Sequence, residues 1–252
     1  MKSTPVKSAQ RVLELLEFFA EVRSGATVNE ICQSLGYPQS STSILLRSLK
    51  DLGYFDHDTR TGLYSPNIRL ALATGWIGEQ LFSQGGLLRL MEQVHASCGH
   101  TVMIGKQHGV HVRYLHVLQA TRPGRFTAKT GSLRPLFRSA SGQMLLTTKQ
   151  ERELSLLLRR ANAQETDPAL RIEESQARAE WAKNRRNGYA LSLGTSLPGA
   201  AALAILLPVP RNHEPLALIV GGPVQEIQGD KSRLVEALRE AVKPMSLALN
   251  GQ

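Results

Sequence analysis

The chain has 252 residues, enough for two domains of ordinary size, and 42% of its residues are hydrophobic, enough to build packed cores. Its formal net charge of +9 admits an anionic partner such as nucleic acid without requiring one. The longest apolar run, residues 199–209, is far shorter than the roughly 20 apolar residues that a bilayer needs. Only two cysteines are present, and the N-terminus lacks the apolar stretch of a signal peptide. We therefore expect a soluble cytoplasmic protein with no membrane partner.

The charge is unevenly distributed along the chain. Residues 1–66 contain seven basic and seven acidic side chains, so the whole excess lies beyond them, as 23 basic against 14 acidic residues. If the first segment binds nucleic acid, it must do so through the placement of particular side chains rather than through bulk charge.

Three short helices are predicted near the N-terminus. Apolar residues at helical spacing indicate the first over about residues 8–22. Thr27 and Glu30 have the spacing of a capping box, which predicts the start of a second helix, and Gly36 is suited to its end. Pro38 suits the first turn of a third helix that runs to about residue 52.

A hairpin pattern follows the three helices. Residues 54–57 and 63–65 are its predicted strands, with Gly62 in the intervening turn. Three helices and a hairpin in this order predict a winged helix-turn-helix over residues 1–66.

The third predicted helix has a polar face opposite its leucine stripe. This face and the hairpin turn supply the candidate DNA-binding residues: Gln39, Ser40, Ser41, Ser43, Ile44, Arg47 and Arg60. Small hydrogen-bonding groups and a cation suit a major groove lined by base edges and phosphates. A solvated surface or a protein-interaction module is the alternative. The ordered succession of capping box, tight turn, polar helix and wing favours binding to double-stranded DNA.

Residues 67–84 form an apolar segment with few charges. Trp76, Ile77 and Leu81 on a helix here would need to be covered, either by packing within the chain or by a second copy of it. We expect a linker helix that takes part in a dimer contact.

Residues 85–252 form the second predicted domain. Helices are expected at 85–98, 140–161, 173–187 and 231–249, and strands at 100–107, 110–118, 124–130, 189–193, 200–209 and 216–220. On the second strand Leu115 breaks the alternation of apolar and polar residues. Strands interrupted by helices, with hairpin-like spacing, predict an α+β fold in which an antiparallel sheet carries helices on its faces.

Two groups of residues could suggest chemistry. Cys98 and His100 are close in sequence, but Cys98 falls on a helical apolar stripe, where free cysteine is usually a small buried hydrophobe. His111 and His116 are five residues apart on a strand and should face opposite ways, so they do not form a metal site with His108. We therefore expect no catalytic residue, no metal and no cofactor. The rival hypothesis is a hydrolase-like enzyme with its site in the second domain.

Between residues 113 and 138 the chain has basic residues and no acid at all. They are Arg113, Arg122, Arg125, Lys129, Arg134 and Arg138. Such a run is usually a solvated surface. The alternative is the attraction of an anionic effector, of DNA phosphates or of an acidic partner.

Six stretches, three in each predicted domain, carry a recognisable pattern. They are residues 6–16 (VKSAQRVLELL), 35–41 (LGYPQSS), 46–54 (LRSLKDLGY), 136–146 (LFRSASGQMLL), 187–190 (NGYA) and 221–223 (GGP). Together they resemble the isocitrate lyase regulator (IclR) family of bacterial transcription factors over nearly the whole chain. The family usually carries Arg on the third helix where this chain has Ile44, which removes one means of reading guanine and allows contact with a thymine methyl.

The resemblance also implies properties of the second domain. It implies a PAS/GAF-like sensor fold, pairing of two copies through the linker helix, and an effector pocket. The positions implied for the pocket are Ala140, Ser141, Ser192, Ala202, Ile219 and Gly221. Only two of them are polar, which favours a partly apolar organic acid, such as an aromatic one, over a small keto acid. The alternative is that these residues close the core and that the domain only oligomerises.

The sequence thus predicts a two-domain transcriptional regulator that binds operator DNA. Its expected parts are the DNA-binding domain at 1–66, a linker helix at 67–84, and an effector-binding and oligomerisation domain at 85–252. The expected partners are double-stranded operator DNA, a small organic acid and further copies of the chain in a homodimer or homotetramer.

Overall fold

The computed structural model describes residues 6–81, 86–121, 127–210 and 213–250, with side chains throughout these ranges except at 76–81 and 248–250. The chain divides into two compact units between residues 78 and 79. Within the described ranges no helix is long and apolar enough to cross a membrane.

The N-terminal unit begins with three helices and a hairpin. The helices are α1 (Lys7–Val22), α2 (Val28–Leu35) and α3 (Gln39–Asp51), and the strands are β1 (Phe55–Asp58) and β2 (Leu63–Pro66). The strands pair antiparallel, and Ala26 forms a further bridge to Tyr64. Leu15, Ile31 and Leu46, one from each helix, are buried together in the core. The predicted winged helix-turn-helix is confirmed.

Helix α4 (Ile68–Leu81) follows the hairpin directly. Its start is fixed by Arg69, whose guanidinium lies 4.8 Å from the Tyr54 ring centroid and donates to the Leu52 carbonyl at 2.9 Å. Ile68 and Leu72 are 72% and 73% exposed. The predicted contact residues Trp76, Ile77 and Leu81 lie outside the side chains that the structure describes.

The C-terminal unit contains a six-stranded antiparallel sheet in the order β5-β4-β3-β8-β7-β6. Its strands are β3 (Thr101–His108), β4 (His111–Leu118), β5 (Leu133–Pro135), β6 (Ala190–Leu193), β7 (Ala200–Leu206) and β8 (Leu216–Pro223). Its helices are α5 (Gly86–Cys98), α6 (Ala140–Leu146), α7 (Glu151–Gln164), α8 (Glu174–Asn187), α9 (Val224–Gly229) and α10 (Lys231–Asn250), with a short 3-10 helix at Pro168–Leu170. The predicted α+β fold class is confirmed.

Both faces of this sheet are covered by helices. Val102 on β3 packs in one buried cluster with Met91 of α5 and Leu238 of α10. The next residue, Met103, points to the opposite face and packs with Leu145 of α6. The alternation of side chains along β3 therefore separates two cores, one on each side of the sheet.

Two predicted elements differ from the observed ones. The helix expected over 140–161 is broken into α6 and α7, because the Thr147 and Thr148 hydroxyls donate to the carbonyls of Met144 and Leu145 at its break. The strand expected at 124–130 lies partly outside the described residues, and residues 127–130 are not in a strand. Residues 133–135 instead form the strand that pairs with β4 on the side away from β3.

Residues 221–223 and the segment after them also differ from expectation. Gly221, Gly222 and Pro223 end strand β8 rather than following it. Helix α9, which was not predicted, begins immediately afterwards at Val224.

Leu115 forms a β-bulge, which explains the break in alternation seen in the sequence. Ile104 pairs with His116 and Gly105 pairs with Tyr114, so Leu115 is the extra residue. The predicted break is confirmed.

The bulge overturns one expectation about the histidines of β4. Val112 and Val117 both pack on the α6 side of the sheet, so His111 and His116 share the opposite face. The prediction that they face opposite ways was wrong. About 13 Å of strand still separates them, since their partners on β3 are four residues apart and each residue advances the strand by roughly 3.3 Å. Among the described residues no group of three or more His, Cys, Asp or Glu could hold a metal.

Candidate functional site

The first candidate site is the exposed face of α3. Gln39, Ser40 and Arg47 are exposed, and Ile44 is 64% exposed, although it is a large apolar residue. Ser41 and Ser43 are half-buried at the edge of this face. The predicted DNA-binding residues of α3 are therefore presented to solvent rather than used in the core.

Contacts at the start of α2 and within the α2–α3 turn hold α2 and the turn in place before α3. Thr27 and Glu30 form the predicted capping box, with the Glu30 carboxylate 2.7 Å from the Thr27 backbone nitrogen. Gly36 ends α2 at φ 68°, a left-handed conformation that favours glycine. Beyond it, the Arg11 guanidinium of α1 lies 4.9 Å from the ring centroid of Tyr37. The sequence LGYP thus gives a tight turn that is held against α1.

Arg60 lies in the turn of the hairpin, which forms the wing. The Asp58 carboxylate accepts from the Arg60 backbone nitrogen at 2.8 Å and from the Thr61 hydroxyl at 2.8 Å. The hydrogen bond from the Thr61 hydroxyl, followed by that from the Arg60 backbone, lowers the pKa of Asp58. The Arg60 side chain itself is exposed, so the turn presents a guanidinium on a fixed backbone.

The second candidate site is the region of the six predicted effector residues. Ser192, Ala202 and Gly221 are aligned in one row across β6, β7 and β8, since Ala202 pairs with both of the others. Ile219 lies two residues before Gly221 and on the same face. Helix α6, which begins with Ala140 and Ser141, packs over these three strands. The structure therefore brings the six predicted residues into one region.

This region is closely packed. Ala140, Ser141 and Ile219 are at most 1% exposed. Gly142 allows the close approach of α6 to the preceding segment, because a Cβ atom there would lie 1.9 Å from the Leu136 carbonyl oxygen. The arrangement leaves the Ser141 and Ser192 hydroxyls among buried apolar side chains.

Four residues outside the six contact the two serines. One is Ser139, whose hydroxyl accepts from the Ser141 hydroxyl at 3.3 Å. The Ser141 hydroxyl hydrogen-bonds with Tyr114, and burial raises the pKa of that phenol against the opposing effects of Arg134 and Ser141. The Ser192 hydroxyl lies 3.2 Å from the Arg138 carbonyl and 2.7 Å from the Thr195 hydroxyl. The alternation of apolar and polar residues along β4 predicts the burial of Tyr114. The contacts of Arg138 and Thr195 join segments far apart in the chain, and no sequence pattern indicates them.

A cavity of about 310 Å³ lies on the side of α6 that faces α8. Its walls include Phe137, Arg138, Leu146, Arg171 and Trp181, and none of the six predicted effector residues lines it. A smaller cavity of about 130 Å³ shares Phe137 and Arg138 with it. Open space therefore occurs beside the predicted site.

Cys98 packs at the edge of the core between α5 and the sheet and is half-buried. Nearby, the His100 Nδ1 atom lies 3.9 Å from a Glu226 carboxylate oxygen, and the His100 side chain is buried. Cys98 is therefore part of a packed region, in accord with the interpretation of this residue as a small hydrophobe.

A winged helix-turn-helix unit and a separate α+β unit in one chain are the organisation of a two-domain transcriptional regulator. Residues 8–58 match the model of the IclR helix-turn-helix domain, and residues 87–247 match that of the bacterial transcriptional regulator IclR C-terminal domain. The chain belongs to the IclR family of DNA-binding transcriptional regulators, as the sequence predicted.

Individual relatives match over nearly their full length. The transcriptional repressor IclR of Escherichia coli K12 is 24% identical over 256 residues, covering 98% of this chain and 91% of that protein. An IclR transcriptional regulator from Alicyclobacillus acidocaldarius has a similar structure, with a TM-score of 0.64 and 23% identity, covering 98% of this chain and 100% of that one. An IclR homolog from Microbacterium hydrocarbonoxydans, complexed with 4-hydroxybenzoate, gives a TM-score of 0.59 at 19% identity, covering 97% of this chain and 100% of that one.

Proposed function

We propose that this chain binds double-stranded operator DNA through α3 and the wing, and that a small, partly apolar organic acid controls this binding. Residues 1–66 would bind DNA, residues 67–84 would connect the domains, and residues 85–252 would bind the effector and oligomerise. The observation that carries the effector proposal is the burial of two hydroxyl groups in one region, on Ser141 at the start of α6 and on Ser192 of the sheet that α6 covers.

An aromatic acid suits this region better than a small keto acid. Ala140, Ala202 and Ile219 offer apolar surface, which an aromatic ring can cover. A small multiply polar ligand would leave several of its groups unpaired there, at about 1–3 kcal/mol for each. One carboxylate could be bound by the hydroxyls of Ser141 and Ser192. The 4-hydroxybenzoate held by the Microbacterium relative supports the same class of ligand.

Ligand binding at the six residues requires a change from the packed arrangement. The Thr195 hydroxyl donates to the Arg138 carbonyl at 2.7 Å, and Ser192 contacts the same two residues. A ligand that displaced these contacts would favour a second arrangement of the 194–199 loop. In that mechanism the effector shifts the population of two states of the sensor domain and so changes the spacing of paired recognition helices.

On α3, Ile44 is proposed to contact a thymine methyl in the major groove. Its 64% exposure leaves the side chain available for such a contact. Ile44→Ala should therefore reduce the preference for thymine over uracil at one operator position, measured with otherwise identical duplexes. Equal preference in both proteins would contradict this role.

Pairing of two copies is part of the same proposal. Ile68 and Leu72 on α4 are largely exposed, and one recognition helix reads too few base pairs to select an operator. Light scattering at micromolar concentration should show a homodimer or homotetramer. A single species of 27.6 kDa would contradict the proposal.

The central experiment measures operator binding and thermal stability with 4-hydroxybenzoate, benzoate, pyruvate and glyoxylate. We expect the aromatic acids to raise the melting temperature and to change operator affinity. Ser141→Leu should abolish this response while leaving basal DNA binding intact, and Ser141→Ala provides a milder variant if the leucine prevents folding. A response to the keto acids alone would defeat the aromatic assignment.

The close packing of the six residues favours one alternative, a DNA-binding oligomer that takes no ligand at this position. Operator binding without any response to the acids would support that function. Turnover of a substrate without salt-dependent operator binding would instead support the hydrolase-like rival.

A further inference from the structure

We propose that the 310 Å³ cavity between α6, α8 and residues 168–172 is a second small-molecule site, which takes a monocarboxylate with a flat or branched apolar body. Its volume is at the lower end of the range for ligand pockets, about 300–1,000 Å³. The site is separate from the six residues of the proposed effector region, because none of those residues lines the cavity. The inference therefore goes beyond the proposed function.

The apolar wall of the cavity is formed around Trp181. The indole N–H donates to the Leu146 carbonyl at 3.0 Å, and the Arg185 guanidinium lies 5.2 Å from the indole ring centroid. These two contacts fix the orientation of the ring. Phe137 and Ile172 extend the apolar surface, so the cavity offers a preformed surface for a ring or a branched chain.

The opposite wall is held in place by hydrogen bonds. The Asn162 side-chain amide donates to the Ile172 carbonyl at 2.8 Å and accepts from the Ile172 nitrogen at 3.0 Å. The Asp167 carboxylate caps the short 3-10 helix by accepting from the Ala169 nitrogen at 2.9 Å. Residues 168–172 are therefore anchored at both ends, and the cavity does not depend on ligand to keep its shape.

The charges in the lining select a monoanion. The Arg138 guanidinium makes one 2.8 Å ion pair with Glu165 and retains other N–H donors, and its side chain is partly accessible. Arg171 donates to the Glu165 backbone carbonyl and forms no ion pair with a described acid. Glu180, the acid in the lining, is paired with Lys183 at 3.2 Å. A single ligand carboxylate would balance the remaining positive charge.

Arg138 connects this cavity to the proposed effector region. Arg138 lines the cavity, while its carbonyl oxygen accepts from the Thr195 hydroxyl and lies 3.2 Å from the Ser192 hydroxyl. A ligand that moved Arg138 would also alter the contacts of Ser192.

The chain provides its own reporter for this site. It has two tryptophans, so Trp76→Phe leaves Trp181 as the one remaining indole. We expect a saturable change in the fluorescence of this variant on titration with benzoate, and competition between benzoate and isovalerate. Benzamide, which has the same ring without the charge, should bind at least about tenfold more weakly, because it lacks the charged hydrogen bonds to arginine.

Matched variants then assign the signal to the cavity. Arg171→Gln should weaken benzoate binding about tenfold, whereas Arg159→Gln, which removes an exposed cation of α7 outside the lining, should leave it unchanged. Ala177→Met fills the cavity and should abolish the signal. If Ala177→Met does not fold, the benzoate affinity of Arg171→Gln alone decides whether the signal comes from the cavity.

The outcome for Ser141→Ala separates this proposal from the proposed effector site. Unchanged benzoate binding at Trp181 in Ser141→Ala, together with about tenfold weaker binding in Arg171→Gln, supports two distinct sites whether or not operator binding responds to any acid. No saturable signal with benzoate or isovalerate up to millimolar concentration overturns the proposal. Equal binding of benzamide, or loss of the signal in Ser141→Ala but not in Arg171→Gln, overturns it as well.

Discussion

The two halves of the molecule present their candidate functional residues in opposite ways. On α3 even the apolar residue Ile44 is mostly exposed, whereas in the C-terminal unit the polar residue Ser141 is buried. A surface that reads DNA must project its side chains into a groove, and a sensor must enclose a small ligand. The comparison teaches that exposed apolar and buried polar residues, the exceptions to ordinary burial, select positions for testing better than residue type alone.

Charge shows a second difference between the halves. The first 66 residues are formally neutral, so the DNA binding proposed for them rests on local cations, for which Arg47 and Arg60 are the candidates. Asp58 lies beside Arg60 in the sequence, but its carboxylate is occupied by backbone and hydroxyl donors of the turn. Local hydrogen bonding can thus leave a cation available although the segment contains equal numbers of acids and bases.

The largest expected effect tests the close packing of the C-terminal unit. Gly142→Ala should lower the free energy of unfolding by about 3 kcal/mol, because its Cβ would overlap the Leu136 carbonyl and force a backbone shift. Urea denaturation measures this change. Gly229→Ala is the matched control, since a Cβ there meets no atom within 4 Å. Equal stability of the two variants would show that α6 is not held tightly over the sheet.

Local signals made the helices of the N-terminal unit predictable. The Thr27–Glu30 capping box and the left-handed Gly36 act within a few residues, so the start and end of α2 follow from sequence alone. The break between α6 and α7 also has a local cause, the Thr147 and Thr148 hydroxyls, but apolar periodicity continues across it and concealed it.

The sheet and its candidate site were less predictable because their structure depends on distant pairings. Residues 133–135 become a strand by pairing with β4, and no pattern within so short a segment indicates this. The alignment of Ser192, Ala202 and Gly221 likewise requires the register of three strands. Family resemblance indicated which residues meet. How tightly they pack depends on the three-dimensional arrangement of the folded chain, which the sequence pattern does not show.

The next largest effect tests whether the exposed face of α3 reads DNA. Arg47→Ala should weaken operator binding by about 1–3 kcal/mol if the guanidinium contacts a base or a desolvated phosphate. Fluorescence anisotropy with a labelled operator measures the change, and circular dichroism checks the fold. Arg159→Ala removes the same charge from the C-terminal unit and should have little effect. Unchanged affinity in Arg47→Ala would exclude this side chain from recognition.

A smaller and less sequence-dependent effect is expected in the wing. Arg60→Ala should weaken binding to operator and unrelated DNA by similar factors and lower the slope of log affinity against log salt by about one, because one phosphate contact is lost. Titrations at several salt concentrations measure both quantities. A loss of discrimination with no change in non-specific affinity would instead assign Arg60 to base recognition.

The smallest effect concerns the cap that positions the helix-turn-helix. Hydrogen bonds from Thr27, first its backbone N–H and then its side chain, lower the pKa of the exposed Glu30 carboxylate. Since the folded pKa lies below the unfolded value, the charged cap stabilises the fold above the unfolded pKa, and this contribution is lost as pH falls through the folded pKa. Glu30→Gln can keep the capping geometry but cannot titrate.

The stability difference between wild type and Glu30→Gln should therefore shrink as the solution is acidified through this range. Urea midpoints measured at a series of pH values test this expectation. Glu21→Gln removes an exposed acid from α1 and controls for the loss of one negative charge. A difference between wild type and Glu30→Gln that stays constant through the acid range would mean that the charge of Glu30 adds nothing to the cap, and that the geometry of the Thr27 hydroxyl alone positions α2 before the recognition helix.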